Sequence, residues 1–151
     1  MVDANKFPKV LVVDVNGWRD DAGSNTLRDI FSCWDPERLA LVYTSSQMPN
    51  CDTCRHYFQI CENQVLKSVF KPTMRVGQEV ENTLVNDYAD AKQERERYNK
   101  AHKSHAKWMR LAREVVWKLG HWKTKALKKF VQDFDPDIIF VPIFPYAYMG
   151  R

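Results

Sequence analysis

The sequence predicts an α/β fold with a buried parallel sheet, and three stretches carry that prediction. Lys9-Val-Leu-Val-Val-Asp-Val15 is a near-continuous apolar run. It is too short for a helix and lacks the alternation of a half-solvated strand, as expected of a strand buried on both faces. Arg38-Leu-Ala-Leu-Val-Tyr-Thr44 repeats the pattern after one short helical stretch, the spacing of a βαβ unit. Ile138 to Val141 repeats it near the end of the chain.

After the first strand, Asn16-Gly-Trp-Arg-Asp-Asp-Ala-Gly-Ser-Asn25 is a loop with two of the five glycines, and Thr26-Leu-Arg-Asp-Ile-Phe31 begins a helix. Ser24 or Asn25 suits its cap, because a side-chain oxygen accepts from the unpaired N–H groups of a first turn. This order puts the loop at the carboxyl edge of the sheet. Ligands bind at that edge in open α/β sheets, and a helix end there favours anionic or hydroxyl groups. Trp34-Asp-Pro-Glu-Arg38 is a turn, and the second strand ends in the hydroxyl residues Thr44-Ser-Ser46.

Met48 to Cys54 reads as a loop from its Pro, Asn and Asp content, and His56-Tyr-Phe-Gln-Ile60 as a third strand. Glu62 to Phe70 is a short helix with Val65, Leu66, Val69 and Phe70 on one face, broken by Lys71 to Gly77. Glu79 to Tyr98 is polar with few apolar anchors and reads as a helix or an excursion. Trp108, Leu111, Ala112, Val115, Val116 and Leu119 form one apolar stripe at helical spacing, directed at the core and ended by Gly120. Thr124 caps a further helix carrying Leu127, Phe130, Val131 and Phe134, which Pro136 stops. Ile138 to Val141 is the last buried strand, with the aromatics of Pro145-Tyr-Ala-Tyr-Met-Gly-Arg151 just past its carboxyl end. The sum is one Rossmann-like domain over residues 1–151, a three-layer α/β/α parallel sheet in strand order 3-2-1-4.

With 28% charged and 44% hydrophobic residues, the 151-residue chain has the makings of a packed core and is not a disordered segment. Met1 to Pro8 carries no apolar signal region, and Pro142 interrupts the run from Ile138 to Phe144. A cytoplasmic protein is the expectation, with Cys33, Cys51, Cys54 and Cys61 reduced. The net charge of +4 hides an asymmetry. Lys92 to Lys129 holds 13 of the 23 Lys and Arg but only 3 of the 19 acidic residues, a local net of +10 against −6 elsewhere. Such a block suits a polyanionic partner or a solvated helical face.

The first loop is not a G-x-G-x-x-G dinucleotide fingerprint, because its glycines are six apart. It could wrap a polar ligand, with Trp18 as a stacking surface and Arg19 as a charge, or be a plain surface loop. Cys51-x-x-Cys54, with His56 and Cys61 nearby, invites a zinc or redox reading. A second ligand pair is missing, and the pair precedes a strand rather than a helix, so packing thiols are preferred. His102 and His105 are three apart without a third ligand. Trp108, Trp117 and Trp122 fit packing better than base stacking. Asp20-Asp21 need not converge on one atom, and no Walker loop, G-x-S-x-G or H-E-x-x-H occurs.

Lys9–Val15, the loop from Gly17-Trp18 to Gly23-Ser24, Thr26-Leu27 to Ile30-Phe31 and Trp34 resemble the start of bacterial glycosyltransferases of the GT-B fold. The nearer group has a family-four-like N-terminal domain and belongs to capsule and cell-surface polysaccharide clusters. Leu39–Thr44, Cys54 to Glu62 and Pro136-Asp137 to Tyr146 continue the likeness. The resemblance implies the acceptor-side N-terminal domain, inactive alone, with the sugar-nucleotide donor bound mainly by a C-terminal domain that is absent. Gly17, Trp18, Arg19, Gly23, Ser24 and Tyr146 would line the acceptor cleft. Many relatives have a donor-contacting histidine near the last loop, but Pro142-Ile-Phe-Pro-Tyr146 has none. No catalytic residue, metal ligand or cofactor is therefore assigned. The implied acceptor is a glycan or a lipid-linked sugar. A peripheral, salt-sensitive contact of Lys92–Lys129 with anionic membrane at its inner face goes with it.

Two other classes compete. A stand-alone flavodoxin- or receiver-like module would want clustered acids at the first strand's end and a lysine after a late strand. Asp14 with Asp20-Asp21 is a poor version of the first, and the lysine is absent. A nucleic-acid-binding protein would use the basic block and bind with steep salt dependence, and it ranks last.

Overall fold

The computed structural model describes residues 7–20, 26–81 and 107–142, with side chains left aside for 107–111. Among these, five strands form one mixed sheet: β1 (Val10–Asp14), β2 (Leu39–Tyr43), β3 (His56–Gln59), β4 (Gln78–Val80) and β5 (Ile138–Phe140). The helices are α1 (Thr26–Ile30), α2 (Glu62–Phe70), α3 (Lys107–Leu119) and α4 (Lys125–Phe134).

β1 pairs in parallel with β2 (Val10 opposite Leu39) and with β5 (Val10 opposite Ile138), and β2 pairs in parallel with β3. Successive side chains of a strand point to opposite faces, so each apolar strand serves two cores. Val10, Val12, Leu39, Leu41, Tyr43 and Tyr57 pack on one face with Trp18, Phe31, Cys51 and Cys54. Leu11, Ala40, Val42, Phe58 and Ile60 pack on the other against Val65 of α2, Trp117 of α3 and Phe130 and Phe134 of α4. Each fully buried branched or aromatic side chain stabilises the fold by about 1.5–3 kcal/mol over an exposed one.

Local chemistry sets the helix ends. Thr124 Oγ1 accepts from the Leu127 N–H at 3.2 Å and caps α4. Asp135 ends that helix in the left-handed region at φ 50°, just before Pro136. The Asp35 carboxylate caps a single 3₁₀ turn at Pro36–Arg38 by accepting from the Glu37 N–H.

The all-parallel order 3-2-1-4 is corrected by the five-strand order β4-β3-β2-β1-β5. The extra strand, β4, runs antiparallel to β3, with Tyr57 opposite Val80. Gly77 turns the chain into it at φ 80°, where an added Cβ would lie 2.6 Å from the Phe58 ring. Gln78-Glu79-Val80 offers only one buried side chain, so no apolar run advertises the strand. The rest of the expected helix or excursion, from residue 82 to Tyr98, lies outside the described residues.

Two expected burials are also corrected. β5 was expected to be buried, yet Ile138, Ile139 and Phe140 are exposed, because β5 is the sheet edge and α4 packs elsewhere. Phe130 meets Phe58 at 5.2 Å and Phe134 meets His56 at 5.4 Å, which centres α4 over β3. The apolar stripe of α3 does not all face inward either. Val115 and Leu119 are exposed, as are Leu66 and Phe70 of α2, while Trp117 is buried. Among the described residues, no helix is long and apolar enough to cross a membrane.

Candidate functional site

The chain leaves β1 for β2 on one side and places β5 on the other side of β1. In open α/β sheets the carboxyl ends of the strands at such a reversal are the usual ligand position. The loop after β1 stands at this point, and Asp14 organises it. Its Oδ1 accepts from the Val15 N–H at 2.6 Å and its Oδ2 from the Trp18 indole N–H at 3.3 Å. A short strand end is thereby turned into a fixed loop.

The loop after β2 braces the first. The Val15 carbonyl accepts from the N–H groups of Thr44 (3.2 Å) and Ser45 (2.8 Å), and the Gly17 N–H donates to Ser45 Oγ at 3.4 Å. Gln59, buried at the end of β3, donates from Nε2 to the Ser45 carbonyl at 3.1 Å. Further out, Asn50 N–H donates to the Trp18 carbonyl, and Asp20 N–H to Asn50 Oδ1. Arg28, on α1, donates to the Arg19 carbonyl and pairs with Asp20 at 3.1 Å. Among the described residues, these bonds tie the loops after β1 and β2 into one rim of amide and hydroxyl groups.

Burial pushes the Asp14 carboxyl above the usual carboxylate range, and the N–H groups of Val15, Trp18 and Asn16 only partly offset this. A raised folded-state pKa means that the protonated form is favoured by folding. The stabilisation is complete below the ordinary carboxyl value of 3.8 and is lost as pH rises through the folded-state pKa. The stability of the parent relative to Asp14→Asn is therefore expected to be most favourable at acid pH, to decline as pH rises, and then to level. Paired thermal melts at stepped pH check this. A difference independent of pH, or one growing with pH, would refute it.

Of the residues expected to line a cleft, Gly17, Trp18 and Arg19 are described, and Gly23, Ser24 and Tyr146 lie outside the described residues. Gly17 is buried, with its α-carbon against Tyr43, where an added Cβ would sit 3.2 Å from the ring. Trp18 is not a stacking surface. Its ring has no exposure and lies parallel to Phe31 at 6.0 Å. Arg19 donates to the Met48 carbonyl at 2.7 Å, tying the two loops together. The expectation missed Asp14, Ser45 and Gln59 as organisers. The signal available was a carboxylate closing an apolar strand.

The Cys-x-x-Cys pair lies in the core. Cys54 donates its thiol to the Leu39 carbonyl at 3.2 Å, and burial pushes that thiol far above its ordinary value. Cys51 lies 3.6 Å from the Tyr57 hydroxyl. Both thiols are part of the packing on that face of the sheet, among Leu39, Leu41 and Tyr57. Among the described residues, no group of three or more His, Cys, Asp or Glu is placed to hold a metal ion. His102 and His105 lie outside the described residues.

No protein-family model, no curated protein and no solved structure matches the chain.

Proposed function

We propose that this chain is the acceptor-binding, Rossmann-like N-terminal domain of a sugar-nucleotide-dependent glycosyltransferase of GT-B type, serving cell-surface polysaccharide synthesis at the cytoplasmic face of the membrane. The observation that supports this reading is the braced rim at the β1/β5 reversal. At that rim the exposed Asn16 and the half-buried Ser45 bring an amide and a hydroxyl side chain together, which suits a ligand made of hydroxyl groups held by neutral hydrogen bonds. The glycines of the loop sequence, Gly17 and Gly23, are six apart and do not have the close spacing of a pyrophosphate-binding turn. The donor would therefore be held by a second α/β domain across a cleft. A peripheral contact of the basic Lys92–Lys129 region with anionic lipid belongs to the same proposal.

Two measurements test it. Amide chemical shifts of Gly17, Arg19 and Ser45 are expected to move with an oligosaccharide acceptor panel and to stay put with UDP-glucose. Shifts only with the nucleotide sugar, or none with any glycan, would overturn the assignment. Purified chain is also expected to show no sugar transfer and no UDP-glucose hydrolysis above a blank. Turnover would show that donor chemistry resides in these residues.

A further inference from the structure

The face formed by α2 and α3 is incompletely covered. Leu66 is 43% exposed, Phe70 80%, Val115 46% and Leu119 57%. Together with Val69 and Val116 they line an open groove of about 420 Å³ whose walls are carbon side chains. Four large apolar groups side by side on two helices are not the scatter of single hydrophobes normal on a surface. Gly120 fixes the geometry: at the end of α3 it lies so close to α2 that an added Cβ would meet Val65. The two apolar edges therefore point outward together.

Cations frame this groove. On α2, Lys67 follows Leu66; Lys71 caps that helix just after Phe70; on α3, Lys118 precedes Leu119, and all three are exposed. An adjacent helical residue lies about 100° round the axis, so Lys67 and Lys118 stand at the rim rather than on the floor, and Lys71 stands at the groove's end beside Phe70. Beyond it the chain continues with exposed Lys123, Lys125, Lys128 and Lys129. The Arg113–Glu62 pair at 2.6 Å ties the two helices and partly cancels itself. Phe70 is the single aromatic among the groove's lining and the rest is aliphatic, so the floor is no stacking platform for successive bases and most of its area offers nothing to base edges or phosphates. An apolar patch bordered by lysine matches the acyl-and-headgroup boundary of an anionic bilayer.

We propose that the α2–α3 face is a membrane-docking surface that sinks Phe70, Leu66, Val115 and Leu119 into the headgroup–acyl boundary of an anionic bilayer while its lysines bind the headgroups. The inference rests on the membrane contact proposed above and changes its mode, from a screened electrostatic association to a shallow insertion.

The test is co-sedimentation of the full chain with phosphatidylcholine vesicles, with and without phosphatidylglycerol, at low and high salt. Binding to the phosphatidylglycerol vesicles is expected to persist in part at high salt. It should fall on the order of tenfold in Phe70→Ser/Leu119→Ser and about fivefold in Lys67→Gln. The substituted positions are exposed, so unchanged circular dichroism and thermal transition confirm that the variants fold. Binding that vanishes at high salt and ignores the serine pair would overturn insertion and leave the electrostatic contact standing. Absence of vesicle binding would overturn both. Self-association removed by the serine pair, without vesicle binding, would assign the groove to a second copy. The vesicles carry no sugar, so none of these outcomes bears on acceptor binding at the sheet edge.

Discussion

Trp18→Ala is expected to cost about 3–5 kcal/mol, much of the stability of an ordinary domain. The indole is fully buried between the end of β1 and Phe31, and its N–H supplies one of the hydrogen bonds to Asp14. Truncation removes the apolar area, leaves a cavity beside Phe31 and strips a donor from a buried carboxylate, three losses with the same sign. Trp18→Phe keeps most of the area and loses mainly the donor, so about 1–2 kcal/mol is expected. Urea unfolding followed by far-ultraviolet circular dichroism separates the two. If Trp18→Ala unfolds with the parent's midpoint, the ring is not a structural wedge. If the cost is as stated, Trp18 serves the ligand edge only by holding the backbone of Gly17 and Arg19.

Gly120→Ala is expected to cost about 1–3 kcal/mol, although it adds only one methyl group. The new Cβ would lie 2.8 Å from the Val116 carbonyl and closer still to Val65 Cγ1, and Val65 has no exposed surface to retreat into. The end of α3 must move away from α2. Ser68 would feel the shift, because its Oγ accepts from the His121 N–H at 3.0 Å across the same junction. Val65→Ala alone removes two buried methyl groups and destabilises as well. In the double variant the two changes compensate, because the space vacated at Val65 admits the new Cβ. A double-mutant cycle by chemical denaturation is expected to show favourable coupling of about 1 kcal/mol or more. Strict additivity would mean that the helices are not locked at Gly120. The cycle also probes the docking face, since the approach at this glycine aligns Leu66 and Phe70 with Val115 and Leu119.

Much of the architecture was legible in local pattern. β1, β2 and β3 are short valine-, leucine- and aromatic-rich runs, and β2 is buried at every residue. α4 could be delimited because Thr124 and Pro136 are local chemistry, a cap and a stop. β4 was not legible, since a three-residue edge strand with one inward side chain has no periodicity to read. At the site, the carboxyl edge followed from strand order along the chain, but the individual roles did not. Trp18 looked like a stacking surface because an aromatic in a polar loop carries no sign of which way it turns. Its direction was settled by Phe31, thirteen positions on, and by Asp14 behind it.

The amino-acid sequence by itself determined most of the elements: the strands β1, β2, β3 and β5, the stops and caps of α4, and which region is basic. These depend on side chains within a few residues of one another. Only the tertiary structure decided which apolar residues are covered. The stripe on α3 and the run at β5 are as hydrophobic as their buried counterparts. Yet Val115, Leu119 and Ile139 remain exposed, because α4 packs on β3 and nothing described lies over them. Burial is a property of the partner as much as of the residue, and the partner is chosen by the topology of the sheet.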